Sequence, residues 1–228
     1  MLGFRAPLPA VWVVLILTLT MFPMPGSAAA PPPGAIVLFD GSNLSQWVGQ
    51  DGQPAAWNVG DGSMQVVVGK GSIHTKRNFR DCRLHVEFQV PEMPGKTGQA
   101  RGNSGVFLQG RYEVQILDSY GAAPADNLCG AIYKVHAPRV NAASPSGVWQ
   151  SYDITFRAAR YRGDKIVQYP RMSVRQNGVL VHDDVEIKVP RTGVYSPALR
   201  IPYTGPVMLQ DHRAPVRFRN IWIMEGTH

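Results

Sequence analysis

The chain has 228 residues, 44% of them hydrophobic and 17% charged, and these globular values suit one domain with a single large core. Its 23 Gly and 19 Pro favour a turn-rich β architecture over a helical one. The formal charge of +7 does not mark a nucleic-acid binder: Arg83, Arg157, Arg171, Arg175, Arg217 and Arg219 are scattered along strand-like segments and do not cluster among aromatics.

Residues 1–29 read as a secretory signal peptide. Arg5 is followed by an apolar run from Val11 to Phe22, then by the helix breakers Pro23, Pro25 and Gly26 and the small residues Ser27 to Ala30. The small-x-small rule allows cleavage after Ala29 or after Ala30, and the first avoids placing Pro31 directly after the cut. An uncleaved anchor is the alternative, because the run is barely shorter than the roughly 18 residues of a spanning helix. Cleavage implies a bacterial secreted or periplasmic protein without membrane contact. Residues 30–35, including the Pro31–Gly34 stretch, are expected to be a disordered leader. Residues 36–228 are expected to form a single, monomeric domain.

Ile36 to Phe39 is the first expected strand, followed by a turn at Asp40–Asn43; Trp57–Val59 and Met64–Val68 flank the turn Gly60–Gly62 as a hairpin. Arg83 to Val90 alternates most cleanly, with Leu84, Val86, Phe88 and Val90 on one face and Arg83, His85, Glu87 and Gln89 on the other. The long loop Pro91–Gly102 then leads into Val106–Leu108 and Tyr112–Leu117, joined through Gln109, Gly110 and Arg111. In that second run Val114 and Ile116 face one way, and Glu113 and Gln115 the other. Ala131–Tyr133 reads as a short strand and Ser151–Ala158 alternates again. Asn177–Gly178 is a strong hairpin signal before Val179–Val181, and Val207–Leu209 and Phe218–Met224 close the chain. With no sustained period of 3.6, about a dozen such strands predict an all-β, two-sheet antiparallel sandwich of jelly-roll type.

Export makes a bridge between Cys82 and Cys129 an option, contributing roughly 3–4 kcal/mol in the chain-entropy model; two reduced, buried cysteines are the alternative. Two cysteines cannot build a zinc ribbon and no His pair has helical spacing, so neither a metal site nor a cofactor is expected. A structural calcium stays open, because loop carbonyls leave no sequence signature.

The blocks LFDGSNLSQW, LHVEF, RGNSGVFL, YEVQILD, GAIY, the pair Trp149 and Tyr152, QNG and GPVMLQDHRAPVRFRNIWI occur in order over nearly the whole mature chain. Together they resemble the 3-keto-disaccharide hydrolase domain family. The resemblance implies a concanavalin-A-like sandwich and cleavage, by hydrolysis or elimination, of glycosides oxidised at carbon 3. The chain departs from the family pattern at Tyr161–Pro170 and Tyr195–Thr204, where extra residues are expected to alter the rim of a groove.

Glu113, Gln115 and Asp118 have the spacing of the E-x-D-x-x-E signature of laminarinase-like glucanases, but the middle acid is an amide. That departure weakens a double displacement by two carboxylates. A 3-keto sugar needs less: a base for the hydrogen at carbon 2, a donor to the enolate oxygen and an acid for the leaving oxygen. The expected roles are Glu113 as base, His212 or Tyr133 as acid, and Arg101 or Gln115 as donors toward the ketone. Asp118 joins the catalytic set; Asn103, Glu87 and Asp211 complete the candidate substrate-binding residues. Each has a plainer reading: Glu113 paired with a cross-strand arginine, Glu87 with His85, Asp211 accepting turn N–H groups, and Asn103 shaping a bulge. The expected partner is a carbohydrate, and a non-catalytic carbohydrate-binding module is the alternative function.

Overall fold

The computed structural model describes residues 30–193 and 201–226, so the segment read as a signal peptide lies outside the described residues. The first six strands are β1 (Ile36–Phe39), β2 (Trp47–Gly49), β3 (Asn58–Gly60), β4 (Ser63–Gln65), β5 (Ile73–Thr75) and β6 (Cys82–Gln89). A 3-10 turn at Gly98–Ala100 precedes β7 (Ser104–Leu108) and β8 (Tyr112–Ile116). Then come β9 (Trp149–Arg157), β10 (Arg160–Arg162), β11 (Lys165–Gln168), β12 (Arg171–Gln176), β13 (Val179–Glu186), β14 (Met208–Leu209) and β15 (Arg217–Glu225).

These strands form the expected all-β sandwich. The larger sheet runs β13-β12-β9-β6-β15-β4-β3, with β1 also on β15, and the smaller runs β2-β5-β14-β7-β8. Leu84, Val86 and Phe88 of β6 and Tyr152, Ile154 and Phe156 of β9 pack into one core with Val106, Leu108, Val114 and Ile116 of the smaller sheet. Each of these side chains is buried, which stabilises the fold by roughly 1.5–3 kcal/mol apiece before entropy is counted. Asn177 and Gly178 have φ of 52° and 80°, the left-handed conformation required by the tight turn between β12 and β13.

Tyr152 ties the layers together. From β9 its hydroxyl donates to the Gln115 carbonyl at 2.5 Å and accepts from the Gly130 N–H at 2.8 Å. The backbone of the Glu113–Gln115 strand is thereby fixed to the larger sheet across the core.

Two expectations need correction. Ala131–Tyr133 is not a strand: Ile132 makes only isolated bridges, to Val114 and His136, because Lys134 takes φ of 59° and turns the chain back. Cys82 and Cys129 are not bridged; both are free and buried. Cys82 lies opposite Phe156, whereas the Cys129 thiol touches the Tyr152 hydroxyl four positions along the same strand, roughly 13 Å away. Burial pushes the Cys82 thiol up to about 12, with the charges of Asp81 and Glu225 adding to the effect.

The departure at Tyr161–Pro170 contains β11 and completes a separate hairpin, β10 on β11. It reaches the second departure: the Tyr161 hydroxyl donates to the Ile201 carbonyl at 2.8 Å, and its ring packs on Tyr203 at 5.1 Å.

Candidate active site

Strand alternation builds the site floor. Val106, Leu108, Val114 and Ile116 point into the core, so the cross-strand pairs Phe107 with Glu113 and Gly105 with Gln115 point out of the smaller sheet. This outward face is still buried: Phe107, Glu113 and Gln115 are 4%, 6% and 1% exposed. The Glu113 carboxyl folds over Gly105, and a Cβ there would stand 2.4 Å from Oε1. Only glycine leaves room for it. Burial pushes the Glu113 carboxyl up to about 8, against the opposing charge of Arg191. A carboxyl with a pKa this close to neutrality can exchange a proton in either direction near physiological pH.

The surrounding elements hold Glu113 through its backbone. Its N–H donates to Thr192 Oγ1 at 3.0 Å, and its carbonyl accepts the Tyr133 N–H at 3.1 Å. Thr192 Oγ1 also donates to the Arg111 carbonyl at 2.9 Å, which pins the turn carrying Arg191 and Gly193 beside the strand. Tyr133 packs against Gly193, where an added Cβ would lie 3.3 Å from the ring. Tyr133 therefore lies beside Glu113 along the backbone, on the edge of β8 away from β7.

After Gln115 the alternation breaks, because the adjacent Ile116 and Leu117 both enter the core. Asp118 follows on the polar side, where its carboxylate receives Arg101 Nη2 at 2.6 Å. These two residues form an ion pair at the end of the hairpin. Asn103 is buried and donates to the Gln99 carbonyl and to Gln99 Oε1, at 2.9 and 3.1 Å. Among the described residues, no group of three or more His, Cys, Asp or Glu is placed to hold a metal ion.

A family described as the 3-keto-alpha-glucoside-1,2-lyase-like domain matches residues 34–224. The chain belongs to this family. It is also similar to a candidate glycosyl hydrolase from Parabacteroides distasonis at 37% identity and a TM-score of 0.82, covering 98% of this chain and 94% of that one. Two further candidate glycosyl hydrolases from the same organism share the fold. One has 19% identity and a TM-score of 0.62 over 85% of this chain and 95% of its own. The other has 22% identity and a TM-score of 0.60 over 84% and 99%. No curated protein matches the chain. Family and fold together place this lyase-like domain among carbohydrate-active proteins.

Two of the residues expected at the site of this lyase-like domain, Glu87 and Asp211, are engaged elsewhere. Glu87 projects from β6 on the outward face of the larger sheet, opposite to the face that carries Glu113. There it receives Arg219 Nε at 2.6 Å and Asn220 Nδ2 at 2.8 Å, both delivered by a bulge in β15. Asp211 staples a loop, accepting the N–H groups of Gly69, Gly71 and Arg213 at 2.7, 3.1 and 3.1 Å. His212 is exposed in the turn beyond β14, two residues after Gln210, whose N–H donates to the Gly105 carbonyl. Of the two acid candidates, Tyr133 is bonded along β8, whereas His212 follows β14 on the far side of β7.

Gln115, expected as a donor toward the ketone, commits one of its two amide N–H groups within the protein. Its Nε2 donates to Gln99 Oε1 at 3.1 Å, and the atom left buried without a partner is the acceptor Oε1. Sequence reasoning missed Gly105, Phe107, Gln99, Thr192 and Arg191. The alternation that selected Glu113 also placed Gly105 and Phe107 on its face, whereas the loop residues carry no periodic signal.

Proposed function

We propose that this chain is an exported enzyme cleaving glycosides whose sugar is oxidised at carbon 3. The ketone acidifies the hydrogen at carbon 2, and Glu113 takes that proton. The C2–H electron pair moves into the enolate, with the Arg191 charge supporting the oxygen. As the enolate collapses, carbon 1 and carbon 2 become doubly bonded, the bond from carbon 1 to the aglycone oxygen breaks, and Tyr133 protonates the departing oxygen. Addition of water to the resulting enone converts elimination into net hydrolysis.

The observation that carries this reading is the buried Glu113 carboxyl over Gly105, with its pKa raised to about 8. A binding module gains nothing from such a group, whereas proton abstraction beside a carbonyl requires one. The pairing of Asp118 with Arg101 argues against a second free carboxylate and hence against ordinary double displacement. Aglycone release from a 3-keto-glucoside and from its unoxidised parent tests the reading. Release from the oxidised substrate alone is expected; equal release from both, or none from the ketone, overturns it.

A further inference from the structure

We propose that the amide oxygens of Gln115 and Gln210 form an acceptor pair that binds sugar hydroxyls on either side of the Glu113 carboxyl. This rests on the carbohydrate reading above but not on the catalytic step.

The orientation of Gln115 follows from groups that can act in only one way. Gln99 Nε2 donates to the Asn127 carbonyl at 2.8 Å, and a backbone carbonyl can only accept, so Gln99 Oε1 must face the other way. That oxygen receives Asn103 Nδ2, itself fixed by the Gln99 carbonyl, and Gln115 Nε2. Gln115 is thus forced to turn its nitrogen toward Gln99, leaving Oε1 buried and unpartnered. Gln210 Oε1 is buried and unpartnered as well. Such acceptors are costly unless a ligand or water supplies a donor.

The two residues flank Gly105. Gln115 pairs with it from β8, and Gln210 continues the register of β14 on the other side, donating its N–H to the Gly105 carbonyl at 3.1 Å. Their backbones are therefore two strand spacings apart, roughly 10 Å, with the Glu113 carboxyl between them. Backbones that far apart let the two side chains flank a single sugar ring seated over Gly105. An acceptor repels a carbonyl oxygen, so the pair reads hydroxyls and leaves the ketone to other groups. The same relay accounts for an amide at position 115: a carboxylate could not donate to Gln99.

Because the pair reads hydroxyls, an unoxidised sugar is a sufficient probe. Binding of methyl α-glucopyranoside and its monodeoxy analogues is measured by NMR titration of the mature chain and of Gln115→Met, Gln210→Met and Gln99→Leu. Loss of one hydroxyl is expected to weaken wild-type binding roughly 5- to 100-fold, as for a hydrogen bond to a buried acceptor. Gln115→Met or Gln210→Met should cause a comparable loss that does not deepen with the matching deoxy sugar. Gln99→Leu lies in a half-buried loop turn, should leave folding intact, and should weaken binding through Gln115 alone. Wild-type-like binding by the two methionine variants, or losses that multiply for every analogue, overturns the proposal, as does an absence of glucoside binding. Failure to cleave 3-keto-glucosides alongside this binding pattern would refute the catalytic reading only.

Discussion

The Glu113 carboxyl lies over Gly105, on the neighbouring strand, where a Cβ would come within 2.4 Å of Oε1 and 2.9 Å of the Phe107 ring. Gly105→Ala therefore displaces the carboxyl before it disturbs the core. The expected result is at least a tenfold fall in kcat/KM with a stability loss of about 1–3 kcal/mol. Steady-state kinetics and thermal denaturation read the two effects separately.

Glu113 also makes stability depend on pH. Its folded pKa of about 8 lies above the ordinary carboxylate value, so the folded state holds the proton more tightly. The resulting contribution is fully present below about pH 4.5 and is lost as pH rises through 8. Glu113→Gln removes that loss. The variant should match wild type near pH 4 and exceed it by on the order of 2–4 kcal/mol above pH 8 in denaturant titrations.

On the opposite face, His85 bonds Asp153 at 2.9 Å and stacks on Trp222 at 5.0 Å. Burial alone would lower its pKa, but the Asp153 and Glu87 carboxylates outweigh it and raise the imidazole to about 9. This contribution is present below about pH 6.5 and fades as pH rises through 9. Asp153→Asn should flatten that decline, costing about 1–2 kcal/mol at pH 6 and little at pH 10. Denaturation midpoints across this range provide the check.

Free, buried cysteines predict redox indifference. A reductant should leave Tm unchanged, and a thiol reagent should modify neither Cys82 nor Cys129 in the folded chain, although both react in denaturant. A Tm that falls on reduction would restore the bridge.

The alternation of Arg83–Val90 and the Asn177–Gly178 turn made the strands legible, since each depends on a period of two or on a local φ requirement. Glu113 was legible for the same reason. The position of Glu87 was not: alternation separates core from surface but does not say which of two sheets a surface belongs to. The six arginines looked scattered along the chain, yet neighbouring strands gather Arg83, Arg157, Arg171, Arg175, Arg217 and Arg219 on the larger sheet. There, Arg157 and Arg171 pair with Asp184, and Arg219 with Glu87. The Gln99 relay depends on a loop folding back 16 residues onto β8, which neither pattern nor composition encodes.

The claim that Glu113 is the base is tested most directly by single-turnover kinetics of wild type and Glu113→Gln on a 3-keto-glucoside between pH 5 and 10. Wild-type kcat/KM should rise with pH to a plateau above about 8 as the carboxylate forms, and the variant should lose on the order of a thousandfold without that rise. A Glu113→Gln enzyme that cleaves the substrate within twofold of wild type, with the same pH profile, would contradict the account.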